Sequence, residues 1–238
     1  MNKTKWIIFA LLVVAVFGGI IYMSKTNDKS SFTGDASKII TDGPIADQVY
    51  GSRDQKVVLI EYGDYQCPAC LSMYTPVKAM TEQYKDKVTF IFRNFPLTNI
   101  HPNALAASTA AEAASLQGKF WEMHDKLYET QDDWKSVAVD KREAVFAGYA
   151  SEVGMDAEKF KADLKSADVA AKIARDRAAG NKAGVASTPT FFLNGEKIDG
   201  TNAVDAQVLQ EMLLDKIKAA YPEAVLPAPS PTAPPVQQ

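Results

Sequence analysis

The sequence predicts an α/β domain in which a sheet is interrupted by a helical insertion. Three observations predict it. Two mostly apolar, β-branched runs of strand length flank one helical pattern. A long alanine-rich stretch follows. Two short β signals joined by a turn then precede a last amphipathic helix.

The first run, "QKVVLIEYG" (55–63), suits a buried central strand. A helix begins just past Cys67, because Pro68 fits a first helical position and "ACLSMYTPVKAMTEQY" continues the pattern. Pro76 is expected to kink it. The second run, "KVTFIFRNF" (87–95), is closed by Pro96. Strand, helix, strand implies a βαβ unit with parallel pairing. From about 101 to 184 the chain has helix-forming composition, broken by Gly, Asp or Asn. "TPTFFLNG" and "EKIDG" follow, with Asn194-Gly195 as a hairpin turn. In the last helix, from about Ala203, Val204, Val208, Leu209, Met212, Leu213 and Ile217 form a stripe that packs on the sheet. No internal repeat is present.

The ends differ from this body. Trp6 to Met23 carries no charge and spans roughly 27 Å as a helix, just long enough to cross a bilayer core. Trp6 and Tyr22 stand at interfacial positions, and Lys3 and Lys5 precede the run, although Lys25 and Lys29 follow it. A cleaved signal peptide is the competing reading. An uncleaved anchor over 1–23 is favoured because no small-x-small site closes the run and no cysteine follows to accept a lipid. Either reading places the body outside the cytoplasm. Residues 24–44 read as a flexible linker, and 223–238 as a disordered proline-rich tail. The domain proper is expected over 45–222. A net charge of −3, with Lys and Arg dispersed, argues against a nucleic-acid partner.

Cys67 and Cys70, in "YGDYQCPACLSMY", are the only two cysteines. A metal site, a structural staple and a redox centre are open to them. A closed zinc site needs two further ligands, and His101 and His124 lack the usual spacing. A staple across three positions constrains little chain. A redox pair fits best. Cys67 falls at a helix N-terminus, where unpaired N–H groups and the macrodipole favour a thiolate. Cys67 is then the more exposed, attacking sulfur, and Cys70, one turn on, resolves the mixed disulfide. No cofactor is required, because the cysteines carry the electrons.

"EYGDYQCPAC", followed far downstream by "VASTPTFFLNG", resembles the DsbA-like branch of the thioredoxin-fold thiol–disulfide oxidoreductases. "NIHPNALAASTAAEAASLQGKFWEMHDKLYE" resembles the helical insertion of its membrane-anchored, Gram-positive BdbD-type members. The resemblance covers roughly 45–220. It implies a thioredoxin-like fold with an inserted helical subdomain, preceded here by one transmembrane helix. It makes Cys67 and Cys70 the active pair, with Pro68-Ala69 between them. It matches Thr188-Pro189 to a cis-proline loop facing the cysteines, where a client strand pairs. A trans proline opening an edge strand is the alternative. It matches Glu61 to a buried acid that relays a proton to or from Cys70. An exposed strand end is the alternative there. His101 and His124 are expected to be structural. Family members often place His or Tyr before the second cysteine, and Ala69 stands there instead, so backbone dipoles must lower the Cys67 pKa.

The resemblance further implies an oxidase for unfolded exported proteins, single-pass in the cell membrane, and reoxidised by a quinone-linked, DsbB-like partner. An isomerase or reductase of the same fold is the nearest alternative, and a non-catalytic chaperone-like or adhesion module a more distant one. Residues 24–44 are short for an isomerase's extra domain. Reductases favour Gly-Pro over Pro-Ala between the cysteines.

Overall fold

A computed structural model describes residues 38–228. Its centre is β2 (Val57–Gly63), buried on both faces except at Val58. Together with β3 (Val88–Asn94), which is fully buried, it forms the parallel pair expected, with Ile60 beside Ile91 and Glu61 beside Phe92. β1 (Gln48–Tyr50) adds antiparallel to the far side of β3. β4 (Thr190–Leu193) lies antiparallel to β2, and β5 (Glu196–Lys197) closes the edge, giving the order β1-β3-β2-β4-β5. The β4–β5 turn has positive φ at Asn194 and Gly195, as a two-residue hairpin matching strand twist requires. β1 was not expected, since three half-buried residues carry no alternation to read.

Between β2 and β3 runs α1 (Pro68–Gln83), a single helix that continues through Pro76. The insertion supplies α2 (Ala104–Ser115), α3 (Phe120–Glu129), α4 (Gln131–Trp134), α5 (Arg142–Glu152) and α6 (Ala157–Asp163). Small buried residues on α2, Ala107, Ala110, Ala111 and Ala114, allow close helix approach. α7 (Ala167–Lys182) returns to β3, and α8 (Ala206–Ala220) packs on α1 and β2. The α8 stripe expected to face the sheet does so through Leu209, Leu213 and Ile217. Val208 and Met212 are only partly covered, and Val204, expected on the stripe, is exposed in a short 3-10 turn ahead of the helix, which begins at Ala206 rather than Ala203.

The core has two parts. Leu59, Phe90, Phe191, Met73, Val77 and Leu213 fill the space between the sheet, α1 and α8. Tyr65, both cysteines, Phe92, Phe120 and Trp134 belong to a second cluster shared with the insertion. A buried ion cluster lies on the other face of the sheet. Arg93 meets Asp47 at 2.8 Å, and Lys172 meets Asp176 at 2.6 Å, with Glu112 3.6 Å away. The sequence had shown only dispersed charges.

Two boundaries are corrected. From Lys38 the linker is tied down rather than free: Arg93 donates to the Lys38 carbonyl, Arg175 donates to the Asp42 and Ile45 carbonyls, and Ile40 exchanges bonds with Asp47. The tail begins packed, because Leu226 lies against the core and Gln83 and Tyr84 donate to the Ala228 and Pro227 carbonyls. The expected anchor at 1–23, most of the linker and the tail beyond 228 lie outside the described residues. Among the described residues, no helix is long and apolar enough to cross a membrane.

Candidate redox-active site

β2 ends at Gly63, and the next residues are held tightly enough to place a helix start. Asp64 is fully buried. Its carboxylate accepts from the Gln66 and Leu97 N–H groups, both at 2.8 Å, and pairs with His101 Nδ1 at 2.8 Å. Its carbonyl accepts from the Cys67 N–H at 3.0 Å. The insertion braces the same loop: Gln131 donates to the Tyr65 carbonyl at 2.7 Å, and Gln66 accepts from the Asn103 N–H at 2.7 Å. Asp64, Gln131 and Asn103 were missed in the sequence. Only the position of Asp64, between a strand end and the cysteines, signalled it.

Cys67 is the N-cap residue of α1, in extended conformation, with Pro68 in the first turn. Both cysteines are free thiols. Cys67 is only 7% exposed and Cys70 1%. The order of exposure is the one expected, but Cys67 is far more enclosed than a surface thiol. The Thr188–Pro189 peptide is cis, and the Cys67 Sγ lies 3.3 Å from the Thr188 carbonyl oxygen. Residues 121 positions apart are thus brought together.

The two sulfurs differ electrostatically. A hydrogen bond from Cys70 is the largest influence on Cys67, pulling its pKa down to about 5 against burial; Thr188 and the Cys70 and Ala69 N–H groups add to the pull. The backbone amides expected to act alone are therefore secondary to the neighbouring thiol. Cys70 moves well above its ordinary value, first through burial and then because its proton is shared with Cys67. One thiol is poised to ionise and the other to keep its proton.

Glu61 is buried at 4% exposure, so the exposed-end alternative falls away. Burial, and then repulsion from the Cys67 charge, raise its pKa to about 8. It is an acid available near neutral pH. His124 is enclosed by Phe92, Tyr65, Trp121 and Tyr128, and burial holds its pKa below the ordinary value. Among the described residues, no group of three or more His, Cys, Asp and Glu side chains is placed to hold a metal ion.

A family model described as Thioredoxin matches residues 45–213. The chain belongs to the thioredoxin family. Among solved thioredoxin-like structures, an oxidoreductase from Silicibacter pomeroyi is 27% identical, with a TM-score of 0.59 over 75% of this chain and 94% of that one. BdbD from Bacillus subtilis, in its oxidised form, has a TM-score of 0.63 at 24% identity, over 72% of this chain and 93% of that one. Wolbachia pipientis α-DsbA1 has a TM-score of 0.64 at 20% identity, over 74% and 94%. The last two show the fold, a thioredoxin-like sheet carrying a helical insertion. Among curated proteins, a Na(+)/H(+) antiporter NhaA 3 from Salinispora tropica is 37% identical over 163 residues, 68% of this chain. The chain spans 24% of the length of that relative.

Proposed function

We propose that this thioredoxin-family chain is an extracytoplasmic thiol–disulfide oxidoreductase that introduces disulfides into unfolded exported proteins. The observation that carries this reading is the division of labour between the sulfurs: Cys67 drawn down to about 5 and Cys70 held protonated, at the start of one helix. Stabilising the Cys67 thiolate stabilises the reduced pair, which makes its disulfide oxidising.

In the reaction proposed, a client thiolate attacks Sγ of Cys67 in the Cys67–Cys70 disulfide, and Cys70 leaves as a thiolate. The Glu61 carboxylic acid gives that sulfur its proton. A second client thiolate attacks the client sulfur of the mixed disulfide, and Cys67 leaves as its stabilised anion. Two client thiols become one disulfide, and two electrons rest on the cysteines. One proton goes to Cys70 and one to solvent. The exposed Ala186 and Ser187, leading to the cis bond beside Cys67, offer backbone for an extended client strand. Anchorage through 1–23 and reoxidation by a quinone-linked, DsbB-like membrane partner complete the cycle.

The reduction potential tests the direction. A value near −120 to −180 mV supports an oxidase, while one near −270 mV makes it a reductase. Cys67→Ser must abolish oxidative refolding of a reduced client. Retained disulfide formation would leave only a chaperone-like role.

A further inference from the structure

Once it has protonated Cys70, Glu61 is left as a buried carboxylate, and a cavity lies beside it. On the α1 side of the sheet, Glu61 borders a cavity of about 50 Å³ that neither cysteine lines. At roughly 10–15 Å³ for each water, it has room for a few. Thr81 of α1 and Trp121, His124 and Tyr128 of α3 form its walls. Its rim is Lys78 and Asp125, which pair at 2.6 Å with side chains 49% and 29% exposed.

Two polar atoms on these walls have no protein partner, Nε2 of His124 and the hydroxyl of Tyr128. Both residues are buried, at 6% and 2% exposure. Buried polar atoms are almost always hydrogen-bonded, and water is the partner when protein is not. The other His124 nitrogen, Nδ1, lies 3.1 Å from Asp125 Oδ1. The imidazole therefore has one unsatisfied nitrogen in the interior and one joined to a carboxylate on the rim.

We propose that this cavity is a proton passage, in which water held by His124 and Tyr128 links the Glu61 carboxyl to solvent at the Asp125–Lys78 rim. The proposal rests on the reading of Glu61 as the acid for Cys70. After Glu61 protonates Cys70, its carboxylate is stranded in an apolar site. The neutral ring carries its proton on Nδ1, which donates to the Asp125 carboxylate, so Nε2 accepts from cavity water. A proton taken from solvent at the rim moves along the water that Nε2 and the Tyr128 hydroxyl hold and ends on the Glu61 carboxylate; no bond other than those to hydrogen changes. The groups facing the ring suit a neutral acceptor: burial opposes its protonation, Asp125 favours it, and Lys78 of α1 opposes it. Tyr65 from the active-site loop and Tyr74 of α1 close the remaining sides. His124 is thus a positioning residue for the water that serves the acid and does not touch the client.

The test is the rate at which dithiothreitol reduces the Cys67–Cys70 disulfide in the full chain, followed by rapid mixing across pH in H₂O and D₂O. His124→Phe, which keeps an aromatic ring but cannot hold that water, should slow reduction about tenfold, part of the roughly 10²–10⁴ that a positioned acid contributes. It should also raise the solvent isotope effect and leave the equilibrium potential unchanged. In a Glu61→Gln background the same change should have no further effect. A His124→Phe rate equal to wild type, with Glu61→Gln slow, overturns the passage and leaves the role of Glu61 intact. A Glu61→Gln rate equal to wild type overturns both. Should His124→Phe fail to fold, Asp125→Asn at the half-open rim decides between the same outcomes: a slowed rate with a displaced pH profile supports the passage, and a wild-type profile refutes it.

Discussion

Glu61→Gln offers the sharpest measure of the site's electrostatics. The carboxyl stands at about 8 in the folded chain against an ordinary 4.5. Between those values the native state holds a proton that the unfolded chain has released. Stability therefore falls as pH rises through the window, by about 1.4 kcal/mol per pH unit. Accumulated across the window, the penalty reaches about 4 kcal/mol at its upper end. Glutamine keeps the shape and cannot ionise. The variant should match wild type below pH 4.5 and exceed it by several kcal/mol above pH 8. Cys67 in the reduced protein works with the opposite sign. Its folded value of about 5 lies below its ordinary 9.0, so its contribution is complete above 9.0 and is lost as pH falls through 5. The two slopes oppose each other in wild type, and only the difference between wild type and variant isolates Glu61. Urea denaturation at fixed ionic strength, in both redox states, supplies that difference. Oxidation removes the Cys67 charge but not the burial that dominates the Glu61 shift, so a smaller effect of the same sign should remain. A difference that fails to grow with pH in either redox state would refute the reasoning.

Other substitutions probe the surroundings. Cys70→Ala removes the largest influence lowering Cys67, so thiolate absorbance should titrate well above 5; a midpoint still near 5 would assign the shift to Thr188 and the backbone amides. Gly63→Ala should destabilise the domain by about 1–3 kcal/mol in urea unfolding, since a Cβ there would overlap the Phe92 ring; unchanged stability would mean that the ring moves aside freely. Lys172→Met takes the buried cation away from Asp176 and Glu112, while Asp47 keeps Arg93, and should cost about 3–5 kcal/mol near neutral pH. Glu112, already raised to about 7 by burial, loses the Lys172 charge that holds it down, so the loss should shrink as pH falls and it takes up a proton. An equal loss in acid would point to packing instead.

Much of the framework is local and was legible in the sequence. The β-branched runs declare β2 and β3, Pro68 marks the start of α1, and Asn194-Gly195 dictates a turn that only positive φ can make. The two cysteines, one helical turn apart at that start, made a redox pair the reading that fits best. Other features depend on distant segments meeting, and no window of sequence contains them. The strand β1 exists because β3 offers an edge, and the linker from Lys38 is held because Arg93 and Arg175 reach its carbonyls. Whether Glu61 is buried, which group draws Cys67 down most, and how much of that sulfur meets solvent were decided only in three dimensions. Desolvation and charge–charge coupling depend on everything packed around a group, and the neighbours of Glu61 and Cys67 come from both ends of the domain and from the insertion between them.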